Sequence, residues 1–281
     1  MEHALIHFYL NPGRNIRTDK QREIKMELLL VDIGNTNITI GFYGNGGIRN
    51  ILRLKTIIDG RDTEEYSYIL DGFIMQHKMQ ATEGAVICSV VPEVTAFLTD
   101  AVKKSFDIEP LNVNHKAETG LKFLIKNTEE LGADRIANAV AAHKLYKGNI
   151  IVVDFGTATT FCVITGKGEY AGGAIMPGIV LSAHALAEKT AMLPVVELKL
   201  PDSVLGKTTR ENILTGIILG HAGAVERIIN EIKTDVGKDF TVLATGGLVD
   251  SVKPYIKAID YINPLLTLEG LRFIYELNSN T

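Results

Sequence analysis

Two apolar rhythms alternate along the chain. Residues 27–31, 84–91 and 240–244 are short apolar runs bounded by turn residues, the pattern of buried strands. The second run stops at Pro92, where a strand ladder loses a donor. Residues 133–146 and 212–233 space their apolar side chains three to four apart, which predicts helices. Arg135, His143 and Lys144 are polar interruptions in the first of these. Strands and helices mixed through both halves predict an α/β protein.

A repeat underlies the mixture. Leu30-Val31-Asp32-Ile33-Gly34-Asn35-Thr36 overlays Val152-Val153-Asp154-Phe155-Gly156-Thr157-Ala158 at an offset of 122 residues. The match continues, with Gly44 on Gly166 and Gly46 on Gly168. Each copy reads as a buried strand, an Asp-x-Gly turn, a second strand and a glycine-bearing turn, a β-hairpin twice over. Spacing near half the chain predicts duplicated lobes rather than a solenoid, whose periods are about 20–50 residues. The expected division is a first lobe over residues 26–146 and a second over 147–281, hinged near 146–148.

Residues 1–25 stand apart. An apolar patch at 4–10 precedes Arg14, Arg17, Lys20, Arg22 and Lys25, the reverse of a signal peptide's order. Met26 directly precedes the first strand run, so 1–25 are expected to be a dispensable extension and Met26 the native start. The longest uncharged stretch, 170–187, contains three glycines, Pro177, Ser182 and His184, which argues against a membrane span. Cys88 and Cys162 lie in strand-like runs and are expected to be buried thiols of a reducing cytoplasm.

Composition acts mainly by exclusion. The 281 residues carry 29 Lys and Arg against 33 Asp and Glu, a formal charge of −4 that argues against a nucleic-acid partner. With 46% apolar and 22% charged residues, the disordered and disulfide-scaffold classes are ruled out.

An Asp at a strand end, followed by a glycine turn, suits phosphate and metal handling. Glycine lets the backbone approach a ligand and aim its N–H groups at phosphate oxygens. Asn35, Thr36, Asn37 and Thr39 add side-chain donors, and Asp32 can hold Mg²⁺ directly or through water. One such turn is common for structural reasons, whereas two at matching places could clamp a polyphosphate between lobes. Neither a G-x-x-x-x-G-K-[ST] loop nor a G-x-G-x-x-G after a strand occurs. Thr245-Gly246-Gly247 after a strand either admits a base or ribose or is a simple helix-entry turn. Phosphoryl transfer to an alcohol needs a base near the hydroxyl, and Asp134 in Gly132-Ala133-Asp134-Arg135 is the candidate. It opens a predicted helix, where a carboxylate also serves as an N-cap, and Arg135 beside it could read an anion.

Larger motifs then fall in order. Asp32-Ile33-Gly34-Asn35-Thr36-Asn37 is followed by Gly132-Ala133-Asp134-Arg135 and Asp154-Phe155-Gly156-Thr157-Ala158-Thr159-Thr160. Gly172-Gly173-Ala174-Ile175-Met176-Pro177-Gly178, Thr190-Ala191-Met192-Leu193-Pro194 and Gly206-Lys207-Thr208-Thr209-Arg210-Glu211-Asn212 come next. From Met26 to at least Gly247 the set resembles type III pantothenate kinase. The resemblance implies the acetate-kinase, sugar-kinase, Hsp70 and actin superfamily, with two ribonuclease-H-like lobes around a cleft.

It also implies roles. Asp32, Ile33, Gly34, Asn35, Thr36, Asn37, Ile38 and Thr39 would bind ATP phosphates, and Thr157 would also contact ATP. Asp134 would accept the proton of the pantothenate hydroxyl, with Gly132, Ala133 and Arg135 beside the substrate. Asp154 would hold the monovalent cation, K⁺ or NH₄⁺, and Thr209 would reach pantothenate across a homodimer interface. The motifs at 172–178 and 190–194 would shape the substrate wall and subunit contact. One departure is visible: many members carry a Tyr where this chain has Ile125, so that contact is lost or passes to a neighbour such as Phe123. Competing readings are a catalytically silent nucleotide-binding regulator on the same fold, and a sugar or acetate kinase. Retention of Asp32, Asp134 and Asp154 speaks against the first, and Gly-Ala-Asp-Arg with Gly-Gly-x-Ile-x-Pro-Gly against the second. His143, His184 and His221 lack metal-ligand spacing and receive no role.

Overall fold

The computed structural model describes residues 27–58, 60–77, 82–199, 203–237 and 239–279. The expected extension over 1–25, and Met26, lie outside these residues.

Three strands open the chain: β1 (Leu28–Ile33), β2 (Asn37–Gly44) and β3 (Gly47–Lys55). Asn45 and Gly46 both have positive φ, as the tight turn between β2 and β3 requires. Helix α1 (Thr63–His77) leads to β4 (Gly84–Ser89), which pairs parallel to β1. Pro92 ends that strand run as predicted and starts α2 (Pro92–Phe106), where its missing N–H costs no helix bond. After β5 (Leu111–Asn112) the sheet has the order β3-β2-β1-β4-β5.

Next come β6 (Lys122–Phe123) and α3 (Ala133–Leu145), and then the pattern recurs. It runs through β7 (Asn149–Phe155), β8 (Ala158–Ile164), β9 (Glu169–Pro177), α4 (Ile179–Lys189), α5 (Thr209–Val236) and β10 (Phe240–Thr245). A short α6 (Val249–Val252) and β11 (Tyr261–Ile262) follow. The second sheet has the order β11-β10-β7-β8-β9-β6, so β7 takes the place of β1. Like β1, it pairs antiparallel with the next strand and parallel with the strand that returns after the helices. Gly46 and Gly168, matched by the repeat, both sit at φ 78°. The fold is therefore the two-lobed α/β architecture that the repeat implies.

Two segments cross the repeat. β6 precedes α3 in the chain yet pairs with β9 in the second sheet. The last helix, α7 (Leu266–Asn278), follows the second sheet but packs on α3, β1 and β4. No helix of the described residues is long and apolar enough to cross a membrane.

Strand alternation decides what each sheet face touches. Leu29, Val31 and Ile33 of β1 pack with Tyr66 and Leu70 of α1 and Val94 and Leu98 of α2. Leu28 and Leu30 face the other way, into a core shared with α3, α7 and the second sheet. In β7, Ile151, Val153 and Phe155 pack against Ile218, Val225 and Ile229 of α5, while Ile150 and Val152 join the shared core. Asp32 and Asp154 have the parity of the inward residues, so both face the space between the sheets.

Candidate active site

Three aspartates converge in that space. Asp32 lies near the end of β1, Asp154 near the end of β7, and Asp134 in the first turn of α3. The N-cap of α3 is Gly132 rather than Asp134, because the helix begins two residues earlier than a capping carboxylate would require. Asp134 Oδ1 instead accepts from the Arg135 N–H at 2.8 Å, a carboxylate inside the positive end of the helix. A Cβ on Gly132 would come 2.5 Å from Asp134 Oδ1, so glycine gives the carboxylate its room.

All three carboxyls are partly exposed, yet desolvation dominates their titration. Burial pushes Asp32 up to about 7, helped by the charges of Asp134 and Asp154 and opposed by Cys88 and Arg53. Burial and the Asp134 charge push Asp154 to about 7, opposed by the Asn138 amide. Burial also raises Asp134, against the pull of the Arg135 N–H and guanidinium. A carboxyl raised in this way is suited to taking a proton from an alcohol. Clustered like charges with little compensation also suit a bound cation, which would relieve them.

Each strand-end carboxylate has one oxygen engaged. Cys88 stands beside Asp32 in the β1–β4 ladder, and its Sγ donates to Asp32 Oδ1 at 3.3 Å. Burial holds this thiol well above its usual range, so it stays protonated and can donate. In the second lobe Asn138 Nδ2 donates to Asp154 Oδ2 at 3.0 Å. Both cysteines are buried free thiols, as their strand positions predict.

Each of the paired turns is closed by its glycine N–H, onto a carbonyl three residues on in the first and two residues on in the second. Gly34 N–H reaches the Asn37 carbonyl at 3.0 Å, and Gly156 N–H reaches that of Ala158 at 3.2 Å. Thr56 Oγ1 donates to the Gly34 carbonyl at 2.6 Å, which ties the end of β3 to the first turn. Asn35, Thr36, Asn37 and Thr157 are exposed and Thr39 is half-buried. Ile33 and Ile38 are buried in the outer core, so they offer a ligand only their backbone. The two turns meet where Thr36 Oγ1 and Thr157 Oγ1 approach to 2.7 Å. A Cβ on Gly178 would run into the carbonyls of Gly156 and Thr157, so the entry to α4 is pressed onto the second turn. Gly246, at φ 96°, borders the site too: a Cβ there would lie 2.5 Å from Asp154 Oδ1.

The remaining sequence candidates are dispersed. Ala133 is buried in the shared core. Arg135 Nη2 donates to Tyr170 Oη at 2.8 Å and to the Phe161 carbonyl at 3.4 Å, and its Nε faces Cys162 Sγ at 3.4 Å. Its guanidinium thus braces β8 and β9. Ile125 packs on the shared core, and the Phe123 ring lies 5.7 Å from that of Tyr170. Thr209 is exposed in the first turn of α5, beside the capping box formed by Thr208 and Glu211. No hydrogen bond among the described residues links it to the aspartates. His221 is a buried packing residue, with Nε2 3.0 Å from Thr159 Oγ1, and burial lowers its pKa.

Cys88, Asn138 and Tyr170 are site neighbours that the motifs alone do not reveal. For Asn138 the signal is its spacing: four residues after Asp134, it shares a helix face.

The family model described as type III pantothenate kinase matches residues 28–231. A type III pantothenate kinase from Roseiflexus sp. (strain RS-1) is 45% identical over 253 residues, covering 89% of this chain and 99% of that protein. One from Syntrophus aciditrophicus (strain SB) is 41% identical over 254 residues, covering 90% and 100%. Among solved structures, a ROK family glucokinase from Streptomyces griseus, in complex with glucose and AMPPNP, superposes with a TM-score of 0.52. It is 14% identical and covers 91% of this chain and 100% of that one, which speaks to the fold alone. The activator of the 2-hydroxyisocaproyl-CoA dehydratase from Clostridium difficile, with bound ADPNP, has a TM-score of 0.51. Its identity is 11%, with 91% and 97% coverage, again evidence of fold only. With its two-lobed fold, its clustered aspartates and its match over most of the chain, this protein belongs to the type III pantothenate kinase family.

Proposed function

We infer that this chain transfers the γ-phosphoryl group of ATP to the primary hydroxyl of pantothenate. The products are ADP and 4′-phosphopantothenate, the entry to coenzyme A biosynthesis. The observation that carries the reading is the convergence of Asp32, Asp134 and Asp154 between two matching glycine turns. A regulator without catalysis has no need of three mutually repelling, desolvated carboxylates.

Asp134 takes the hydroxyl proton as the alcohol oxygen attacks the γ-phosphorus and the bond to the β-phosphate oxygen breaks. The turn from Asp32 to Thr39, with Thr157 facing it, holds the phosphates by N–H and hydroxyl donors. Among the described residues no group of three or more His, Cys, Asp or Glu could hold a metal by itself. Such a site fits Mg²⁺, which takes one or two carboxylates and completes its shell with water and phosphate oxygens. Asp32 would be the carboxylate, and the ion when bound neutralises the charge of the transferred phosphate. Asp154 would hold K⁺ or NH₄⁺ through the oxygen that Asn138 leaves open.

A homodimer fits the surface beside Thr209. Met192 and Leu205 are 90% and 82% exposed, with Leu181, Val195 and Val204 also in the open. Apolar side chains presented in one region suit a partner copy that would bring Thr209 to the neighbouring substrate.

The test is purified protein with ATP, Mg²⁺, K⁺ and pantothenate, following ADP release. Turnover that requires pantothenate supports the reading. Turnover with another polyol but not with pantothenate overturns the substrate assignment.

A further inference from the structure

We propose that Thr267 and Asn138 are positioning residues that fix which oxygen of Asp154 meets the monovalent cation, making the C-terminal helix part of cation recognition. The proposal rests on the reading of Asp154 as the cation's ligand.

Two hydrogen bonds run in series. Thr267 Oγ1 donates to Asn138 Oδ1 at 2.9 Å, and Asn138 Nδ2 donates to Asp154 Oδ2 at 3.0 Å. Their order follows from chemistry. With a cation beside it Asp154 would be ionised and only accept, so the amide turns its nitrogen toward Asp154 and its oxygen away. The oxygen then needs a donor, and Thr267 supplies one. Asn138 is 1% exposed, so water has little opportunity to replace either bond. Without Thr267, the amide would gain by turning its oxygen toward another donor, at the expense of the bond to Asp154.

Both ends of the relay are held in place. Leu266 and Leu268, on either side of Thr267, are buried in the shared core. Gly270 lets α7 touch α3, since a Cβ there would run into the Ala137 backbone next to Asn138. With Oδ2 engaged, Asp154 Oδ1 is the oxygen left facing the glycine turns. A Cβ on Gly246 would lie 2.5 Å from it, and one on Gly156 3.8 Å. Thr267 lies beyond residues 28–231, the segment that the family model matches.

The test uses the full chain and two readouts. Thermal midpoints are measured without nucleotide as KCl replaces NaCl at constant ionic strength, and the K⁺ concentration for half-maximal rate is measured separately. Thr267→Val removes the donor at nearly constant volume, Thr267→Ser keeps it, and Thr267→Ala is a second arm should valine not be accommodated. The expected result is a half-saturating K⁺ concentration raised about three- to tenfold in Thr267→Val, in both readouts. Thr267→Ser returns it to the wild-type value, and KM for pantothenate does not change. Structural weakening alone would lower the midpoint equally in the two salts. A wild-type K⁺ response in Thr267→Val and Thr267→Ala overturns the proposal, as does failure of Thr267→Ser to restore a lost response. A wild-type chain whose midpoint is indifferent to K⁺ over Na⁺ overturns the cation reading as well.

Discussion

Thr36 and Thr157 stand at nearly equivalent places in the two halves of the repeat, and their hydroxyls meet at 2.7 Å. This contact joins the two turns that follow Asp32 and Asp154. A nucleotide entering between the lobes must compete for both hydroxyls. Thr157→Val should therefore raise KM for ATP about three- to tenfold, with a smaller effect on KM for pantothenate. Without nucleotide, a double-mutant cycle with Thr36→Val should show a coupling of about 1 kcal/mol in unfolding free energy. Additive effects would mean that the hydroxyl pair does not hold the turns together.

Asp134 is the proposed base, and its removal should strike the chemical step. Asp134→Asn is expected to lower kcat by about 10²–10⁴-fold. ATP binding, measured by calorimetry, should stay within about threefold of wild type, because no phosphate contact is assigned to this side chain. A large loss of ATP affinity with kcat preserved would reassign Asp134 to nucleotide binding.

The raised carboxyl of Asp32 predicts a stability cost at neutral pH. It titrates near 7 in the fold, against an ordinary value of 3.8. Between these limits the folded state keeps a proton that the unfolded state has released, so this group's contribution to stability falls as pH rises through the window. Asp32→Asn removes the effect. In the absence of Mg²⁺, K⁺ and nucleotide, the variant should match wild type near pH 4 and exceed it above pH 7. The gap should be on the order of 1–2 kcal/mol after allowance for partial exposure. A gap that does not change with pH contradicts the assignment.

Gly246 and Gly247 are adjacent but should respond differently to alanine. At Gly246 the φ of 96° and the approach to Asp154 Oδ1 and the Phe155 backbone leave no room for a side chain. At Gly247 a Cβ would meet nothing within 4 Å. Gly246→Ala should cost about 2 kcal/mol or more in thermal or urea unfolding, and Gly247→Ala about 0.5 kcal/mol or less. Equal costs would remove the close packing of Gly246 on Asp154.

How much of this was legible in the sequence depended on whether the signal was local. The Asp-x-Gly turns, the pairing of Gly46 with Gly168 and the start of α3 beside Asp134 all rest on neighbouring residues, and motif spacing carries them. Period-two alternation in β1 and β7 also implies that Asp32 and Asp154 share a face with Leu30 and Val152. The path of β6 into the second sheet is not legible, because two residues, Lys122 and Phe123, carry too little pattern to choose a partner strand. Nor is the return of α7: the apolar spacing of Leu268, Leu271 and Ile274 does not specify the surface that they cover. For that reason Thr267 and Asn138, 129 residues apart, meet only in the fold.

The most direct test of the central claim is phosphorus NMR of the reaction products. Wild-type protein with ATP, Mg²⁺, K⁺ and pantothenate should yield ADP and a single phosphomonoester on the primary hydroxyl of pantothenate, and Asp134→Asn should yield neither above background. ATP consumed without that phosphomonoester, or its formation at the wild-type rate by Asp134→Asn, would contradict the account.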